Sequence, residues 1–371
     1  MTRSFSNIEA TDRLLATNPF DFRDMGRQLF IESFRETALK HFDGNAVFRA
    51  FWHDAGLHPR DITDEAALLR VPPLMVHLFK ERELCSVPRE EVVLTLTSSG
   101  TGGQRSQMFL NQRSLSRVRH LALEIHRALG LTSTDEVNYL CFTYDPAVAK
   151  DLGTAFTDEL LTSFTSRHSV YYTFQWNEQK QDFAFNEQGV LDTLLRFERE
   201  GKPVRILGFP AFLFKLIKDH DLKLDLGARS WVQTGGGWKG LAAEEIPKAE
   251  FRAFVAQRLG IPMGNIRDLF GMVEHGIPYV DCHLGNMHIP NFARVFTRSA
   301  DGARILPDGE RGLLQLMCTY NDSYPAMALL TTDWGRVGQC GCEIGGPTLE
   351  LLGRAGVSKH KGCAVKALEM L

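Results

Sequence analysis

The sequence predicts an α/β fold with a largely parallel sheet, followed by a smaller β-rich subdomain. Strand-like runs alternate with amphipathic helical runs through the first two thirds of the chain. Two of the strand-like runs pass directly into glycine turns. Beyond Gly264 the pattern changes to short strands separated by glycine and proline turns. The expected organisation is one body over 1–353, with its β-rich part at about 264–350, and a hinge and tail over 354–371.

In chain order, residues 19–58 read as helical. The stretch MGRQLFIESFRETALKHF repeats apolar residues at three- and four-residue spacing behind acidic entries at Asp21 and Asp24. Pro72 and Pro73 break the next helix. EEVVLTLT is a β-branched strand leading into SSGTGG, and SLSRVRHLALEIHRALG is an amphipathic helix closed by Gly130. Residues 136–144 and 203–208 read as short buried strands, with GFPAFLFKLIKDH as the helix after the second. WVQTGGG is again a strand followed by a glycine turn.

The 371 residues are 44% hydrophobic and 23% charged, a composition that supports a large globular core. A net charge of −3 gives no sign of a surface for nucleic acid or anionic lipid. No apolar run reaches the roughly 18 residues of a membrane span, and MTRSFSNIEATDR lacks a signal-peptide core, so a cytoplasmic protein is expected. Seven cysteines, an odd number, argue against a disulfide framework. Cys85, Cys141 and Cys318 have apolar neighbours and read as buried packing. Cys282, the Cys340/Cys342 pair and Cys363 lie in polar or glycine-rich sequence.

The most informative stretch is Thr97-Ser98-Ser99-Gly100-Thr101-Gly102-Gly103. Hydroxyls and glycines packed into one turn offer backbone N–H groups and side-chain donors to a polyphosphate, with no Cβ in the way. It is neither a Walker A loop nor a Rossmann fingerprint. On composition alone, an ordinary polar surface turn is the competing reading.

TSSGTGGQRS (97–106) resembles the signature loop of adenylate-forming enzymes: acyl-CoA synthetases, adenylation domains and luciferases. The TSSGT form, the preceding VPPLMVHLFKERELCSV and the short chain resemble, more narrowly, LuxE-type acyl-protein synthetases, close to phenylacetate-CoA-ligase-like members. The likeness runs collinearly down nearly the whole chain. It implies an adenylate-forming body in which Thr97 and Thr101 assist catalysis and Ser98, Ser99, Gly100 and Gly102 hold the ATP phosphates. GFPAFLFKL resembles the segment lining the acyl pocket, which places Phe209, Phe212 and Phe214 near it. WVQTGGGWKG resembles the turn packing on adenine, which implies Gly235, Gly236 and Gly237.

DLFGMVEHG resembles the aromatic-Gly-x-[ST]-Glu motif, implying Phe270 and Gly271 at the nucleotide and Glu274 as a Mg2+ ligand. Val273 departs from the family's hydroxyl residue there. LLTTDWGRVG implies Asp333 on the ribose hydroxyls, and LELLGRAGVSKHKG implies Arg354 as a second ribose or phosphate contact. Ala355-Gly356-Val357 follow Arg354 where the family usually has an Asp. The chain stops at Leu371, so the usual C-terminal domain and its lysine are expected to be missing, with Lys359 or Lys361 as substitutes.

Cys363 matches the LuxE-type acceptor cysteine. His360, Lys361 and Lys366 beside it favour the thiolate, the nucleophilic form. An incidental thiol in a disordered tail is the alternative. Cys282-x5-His288 and Cys340-Gly-Cys342 together offer three thiolates and an imidazole, a set that suits a closed structural zinc site, or else four unrelated residues.

The expected activity is ATP-dependent conversion of a carboxylic acid to acyl-AMP, then transfer to Cys363 as a thioester; the family resemblance implies a fatty acid, while Phe209, Phe212 and Phe214 permit an alkyl or an aryl chain equally. An NADPH-dependent acyl reductase or an acyl carrier would take the product; nucleic acid is not an expected partner, and an oligomer is open. The rivals are a CoA or carrier-protein ligase in which Cys363 is idle, and a non-catalytic nucleotide-binding scaffold.

Overall fold

The helical stretch expected over 19–58 forms as α2 (Asp24–Gly44) and α3 (Ala46–Asp54), preceded by an unexpected short α1 (Ala10–Leu15), in a computed structural model describing residues 9–97, 106–145, 153–178, 182–238 and 244–354. Helix α2 begins on Asp24, a carboxylate at the positive end of the helix dipole, and buries Phe30, Ile31, Phe34 and Phe42. Asn45 then turns extended and its side chain accepts the Phe48 N–H, which starts α3. Helix α4 (Glu65–Leu69), capped by Asp64, ends just ahead of Pro72 and Pro73 as expected. The short β1 (Leu74–Met75) and α5 (Leu78–Glu81) follow.

Strand β2 (Val92–Thr97) forms where expected, but it pairs with a strand absent from the sequence reading, β3 (Gln107–Asn111). QMFLN escaped notice because Asn111 also caps the next helix, α6 (Gln112–Ala128), accepting the Ser114 N–H. The hydroxyl-glycine stretch therefore lies between two strands of one antiparallel ribbon, and not between a strand and a helix.

The αβ alternation yields β4 (Val137–Tyr144), α7 (Gly153–Thr162), β5 (Arg167–Asn177), β6 (Asp182–Phe185), α8 (Glu187–Glu200), β7 (Val204–Gly208), α9 (Pro210–Asp219), β8 (Trp231–Gly235), α10 (Lys248–Leu259) and β9 (Ile266–Phe270). Their order across the sheet is β6-β5-β4-β7-β8-β9, parallel except at β5–β6. Every residue of β4 is buried, as befits a central parallel strand covered on both faces. The register sets Gly208 beside Thr234 and Thr234 beside Asp268 at the carboxyl ends. That edge is where open α/β sheets take their ligands.

The remaining strands are β10 (Tyr279–Asp281), β11 (Met287–His288), β12 (Ala293–Arg298), β13 (Gly312–Cys318), β14 (Ala328–Gln339) and β15 (Pro347–Arg354). They pair antiparallel in the order β12-β13-β14-β15-β11-β10 and continue the same sheet through β9. The change from parallel to antiparallel pairing thus falls at β9–β10.

The core divides into two clusters. Phe212 and Phe214 belong to the second: Phe212 meets Phe174 edge-on at 5.1 Å and Phe214 meets Trp238 edge-on at 5.2 Å. Both rings are core packing, and only Phe209 of the three turns towards the glycine run. Cys141 and Cys318 are buried as expected, whereas Cys85 is half-buried and donates its S–H to the Val87 carbonyl. Among the described residues no helix is long and apolar enough to cross a membrane.

Candidate active site

The glycine run at the end of β8 is fixed largely by its own neighbours. A Cβ on Gly235 would lie 2.9 Å from the Leu269 carbonyl oxygen. One on Gly236, where φ is +81°, would lie 2.8 Å from the Phe209 ring. Gly237 has φ +71° but no described atom within 4 Å of a Cβ, so the open backbone face that a flat ring needs is at Gly237.

Beside this run β9 ends at Phe270, whose ring stacks on Tyr279, and Gly271 is exposed. The N–H groups of His275 and Gly276 both bond to the Met272 carbonyl, closing a turn that sends Glu274 inward. Glu274 is only 6% exposed and shares a small cavity with His275, Tyr320 and Tyr324. Burial, with the Glu274 charge adding to it, holds the Tyr324 phenol well above its ordinary range, so this neighbour is neutral. Burial drives the His275 imidazole down to about 3, so it is neutral too, with Nε2 against the Tyr279 hydroxyl. Among the described residues none forms an ion pair with Glu274. A hard divalent cation would supply the counter-charge that the described residues do not, so the residue fits the Mg2+ ligand expected of it.

The sequence reading missed the segment that joins this cavity to the β2–β3 ribbon. Residues 319–324, Thr-Tyr-Asn-Asp-Ser-Tyr, are all buried. The Asn321 amide donates to the Phe109 carbonyl at 3.2 Å, and the Ser323 hydroxyl accepts the Asn111 N–H at 3.0 Å. The Asp322 N–H bonds to the Ser114 hydroxyl, while the Asp322 carboxylate takes Arg117 at 3.0 Å and Lys40 at 3.1 Å. The one sequence signal was a dense polar run between two apolar strands, which reads as a surface loop. Thr97 ends β2 opposite Gln107. Ser98, Ser99, Gly100, Thr101, Gly102 and Gly103 lie outside the described residues, as do Lys359, Lys361 and Cys363.

Asp333 and Arg354 face each other across β14 and β15. The Arg354 Nε–H donates to Asp333 Oδ1 at 3.0 Å; the carboxylate is 10% exposed and the guanidinium 52%. Oδ2 of Asp333 has no hydrogen bond from a described residue.

The structure also gathers the four sulfur and nitrogen candidates. The ligand atoms of Cys282, His288, Cys340 and Cys342 lie within 4.8 Å of one another. Cys282 Sγ is 3.8 Å from Cys340 Sγ, and Cys342 Sγ is 3.3 Å from His288 Nε2. Tetrahedral zinc, with bonds of about 2.3 Å to sulfur and 2.0–2.1 Å to nitrogen, sets such pairs roughly 3.5–3.8 Å apart. Burial pushes the Cys282 thiol up to about 11, a state that a bound cation would reverse. Cys282 follows β10, His288 ends β11, and Cys340 and Cys342 lie in the turn between β14 and β15, so the cluster joins two hairpins.

The profile of the family described as acyl-protein synthetase, LuxE, matches residues 3–371. A long-chain-fatty-acid–luciferin-component ligase of Aliivibrio fischeri is 23% identical, over 99% of this chain and 95% of that protein. The Vibrio harveyi ligase of the same name is 24% identical over 88% and 83%. A phenylacetate-coenzyme A ligase of Pseudomonas putida is 25% identical over 85% and 67%. Among solved structures, a 2-hydroxyisobutyryl-CoA ligase in an open conformation, in complex with 2-HIB-AMP and CoA, superposes with a TM-score of 0.66 at 13% identity. The match covers 88% of this chain and 74% of that one, a likeness of fold.

Proposed function

The chain belongs to the acyl-protein synthetase LuxE family, and from that membership we propose that it uses ATP to activate a carboxylic acid of the fatty class and then carries the acyl group on Cys363. The relatives named as long-chain-fatty-acid–luciferin-component ligases support a fatty acid as the substrate. An oxygen of the substrate carboxylate attacks the α-phosphorus of ATP, the bond to pyrophosphate breaks, and acyl-AMP forms. The Cys363 thiolate then attacks the acyl carbon and AMP leaves with the anhydride oxygen.

In this reading the 97–103 turn, with Thr97 and Thr101, surrounds the charge that builds up on phosphorus. Gly237 and Phe270 border the adenine, and the free oxygen of Asp333 accepts from the ribose hydroxyls. Glu274 would hold a Mg2+ that draws charge from the phosphate oxygens. Cys282, His288, Cys340 and Cys342 would hold a structural zinc that staples two hairpins and performs no chemistry. The body ends near 353 and the tail 354–371 delivers the thiol. The use of ATP and of a reduced thiol suits the cytoplasm, and an NADPH-dependent acyl reductase is the proposed recipient.

The observation that carries the reading is Glu274, buried in a small cavity and without an ion pair among the described residues, within a family match that runs over residues 3–371. Pyrophosphate exchange that requires a carboxylic acid tests the first half. Its absence across a panel of fatty and aromatic acids would leave only a nucleotide-binding scaffold. Hydroxylamine-sensitive labelling by radioactive fatty acid and ATP, lost in Cys363→Ala, tests the second; labelling of added CoA alone would favour a CoA ligase.

A further inference from the structure

We propose that Asp281 is a positioning residue that couples the Cys/His cluster to the nucleotide segment Asp268–Glu274, so that metal binding at the one strengthens ATP binding at the other; the inference rests on the adenylating reading above. Asp281 is fully buried at the end of β10. Its Oδ1 accepts from Lys248 Nζ at 2.7 Å and its Oδ2 accepts the Asp268 backbone N–H at 2.9 Å. A side chain thus supplies the rung that would extend the β9–β10 ladder. The next residue in the chain is Cys282, a member of the cluster, and two residues past Asp268 is Phe270.

The surroundings make this rung stiff. Lys248 Nζ also lies 3.9 Å from Asp268 Oδ2, so one ammonium faces two acids. Arg267 donates to the Asp281 carbonyl at 2.9 Å. Arg252 gathers the carbonyls of Met263, Ile266, His283 and Leu284, tying the turn after Cys282 to the start of β9. On its other side Asp268 meets Thr234, the residue before Gly235. A buried acid is an expensive way to satisfy one backbone N–H, since a carbonyl would serve. What the carboxylate adds is a link from the residue beside Cys282 to Asp268, whose own carboxylate meets Thr234 ahead of Gly235. Ordering Cys282 by metal removes freedom that ATP would otherwise have to remove, and by linkage each ligand strengthens the other by the same factor.

The test uses the full chain and two binding measurements. ATP dissociation constants are measured with zinc loaded and after chelation, and zinc retention against a competing chelator is measured with and without ATP. In the wild type, chelation should weaken ATP binding roughly five- to fiftyfold, with a matching loss of zinc retention when ATP is withheld. Asp281→Asn keeps an acceptor for the Asp268 N–H but loses the ion pair; at full zinc content it should bind ATP more weakly, with the coupling reduced towards one. If Asp281→Asn does not fold, Lys248→Gln carries the same expectation, and Lys248→Arg should retain the coupling. Unchanged ATP affinity on chelation, or wild-type coupling in the zinc-loaded Asp281→Asn or Lys248→Gln protein, overturns the proposal. A wild type that binds zinc but no ATP overturns the adenylating reading itself, and the coupling with it.

Discussion

Arg354 donates its Nε–H to Asp333 from the directly opposite place on the β14–β15 ladder, so two residues expected to touch the nucleotide first touch each other. The pair leaves the other Asp333 oxygen unbonded among the described residues, open to the ribose hydroxyls in the proposed reading. Asp333→Ala should therefore weaken ATP binding by about 1.5–3 kcal/mol, roughly ten- to a hundredfold. Arg354→Ala, at a half-exposed position, should cost only a few-fold. Equal losses in the two variants would mean that Arg354 contacts the nucleotide directly.

Glu274→Gln keeps the size of the side chain and removes its charge. Acid-dependent pyrophosphate exchange should fall about a hundredfold or more, a loss typical of removing one group that steadies transition-state charge. ATP binding measured without magnesium should change little. A variant exchanging at the wild-type rate would remove Glu274 from the chemistry.

Ser323→Ala deprives the Asn111 N–H of its acceptor where β3 meets α6. The expected destabilisation is about 1–3 kcal/mol in denaturant titration. Faster hydrogen exchange at Asn111 should accompany it. A stability loss without faster exchange there would contradict the assigned bond.

The Cys/His cluster predicts one bound zinc by elemental analysis, absent in Cys282→Ser. A chelator should lower the melting temperature of the wild type towards that of the variant and leave the variant where it is. Wild-type protein purified without metal, and indifferent to added zinc, would rule the site out.

Asp158 on α7 is buried with no ion pair among the described residues, and burial raises its carboxyl to about 7, against the Thr143 hydroxyl that lowers it. The folded chain holds this proton between the ordinary carboxylate value of 3.8 and about 7 while the unfolded chain has lost it. The stabilisation is therefore complete below 3.8 and is lost as pH rises to 7, by on the order of 4 kcal/mol. Asp158→Asn should match the wild type in melts at acid pH and exceed it increasingly up to pH 7, with a constant gap above. A gap that does not change with pH would show that the carboxyl ionises freely in the folded protein.

Much of this architecture was legible because period and punctuation agreed. The three- and four-residue repeat gave α2 and α6, and uninterrupted apolar runs gave β4 and β7. Strand β3 was hidden because its five residues lead straight into a helix cap. The cysteine and histidine candidates met in space because C-x-C and C-x5-H each sit at a hairpin turn, where such short spacings stay together. Local pattern could not show pairings between distant segments. Asn321 with Phe109, Asp281 with Asp268 and Lys248, and Arg354 with Asp333 each depend on how strands are ordered in the sheet. The partners of Phe212 and Phe214, Phe174 and Trp238, were hidden for the same reason.

The uninterrupted hydrogen bonding from β8 through β9 into β10 has a practical consequence for anyone cutting the gene. A fragment ended near Gly264 would lose β9 and uncover β8. One ended at Phe270 would keep β9 as a bare outer strand, with unmet N–H and C=O groups open to a neighbouring copy. Either truncation should yield insoluble material, and neither half should be rescued by expressing it alone.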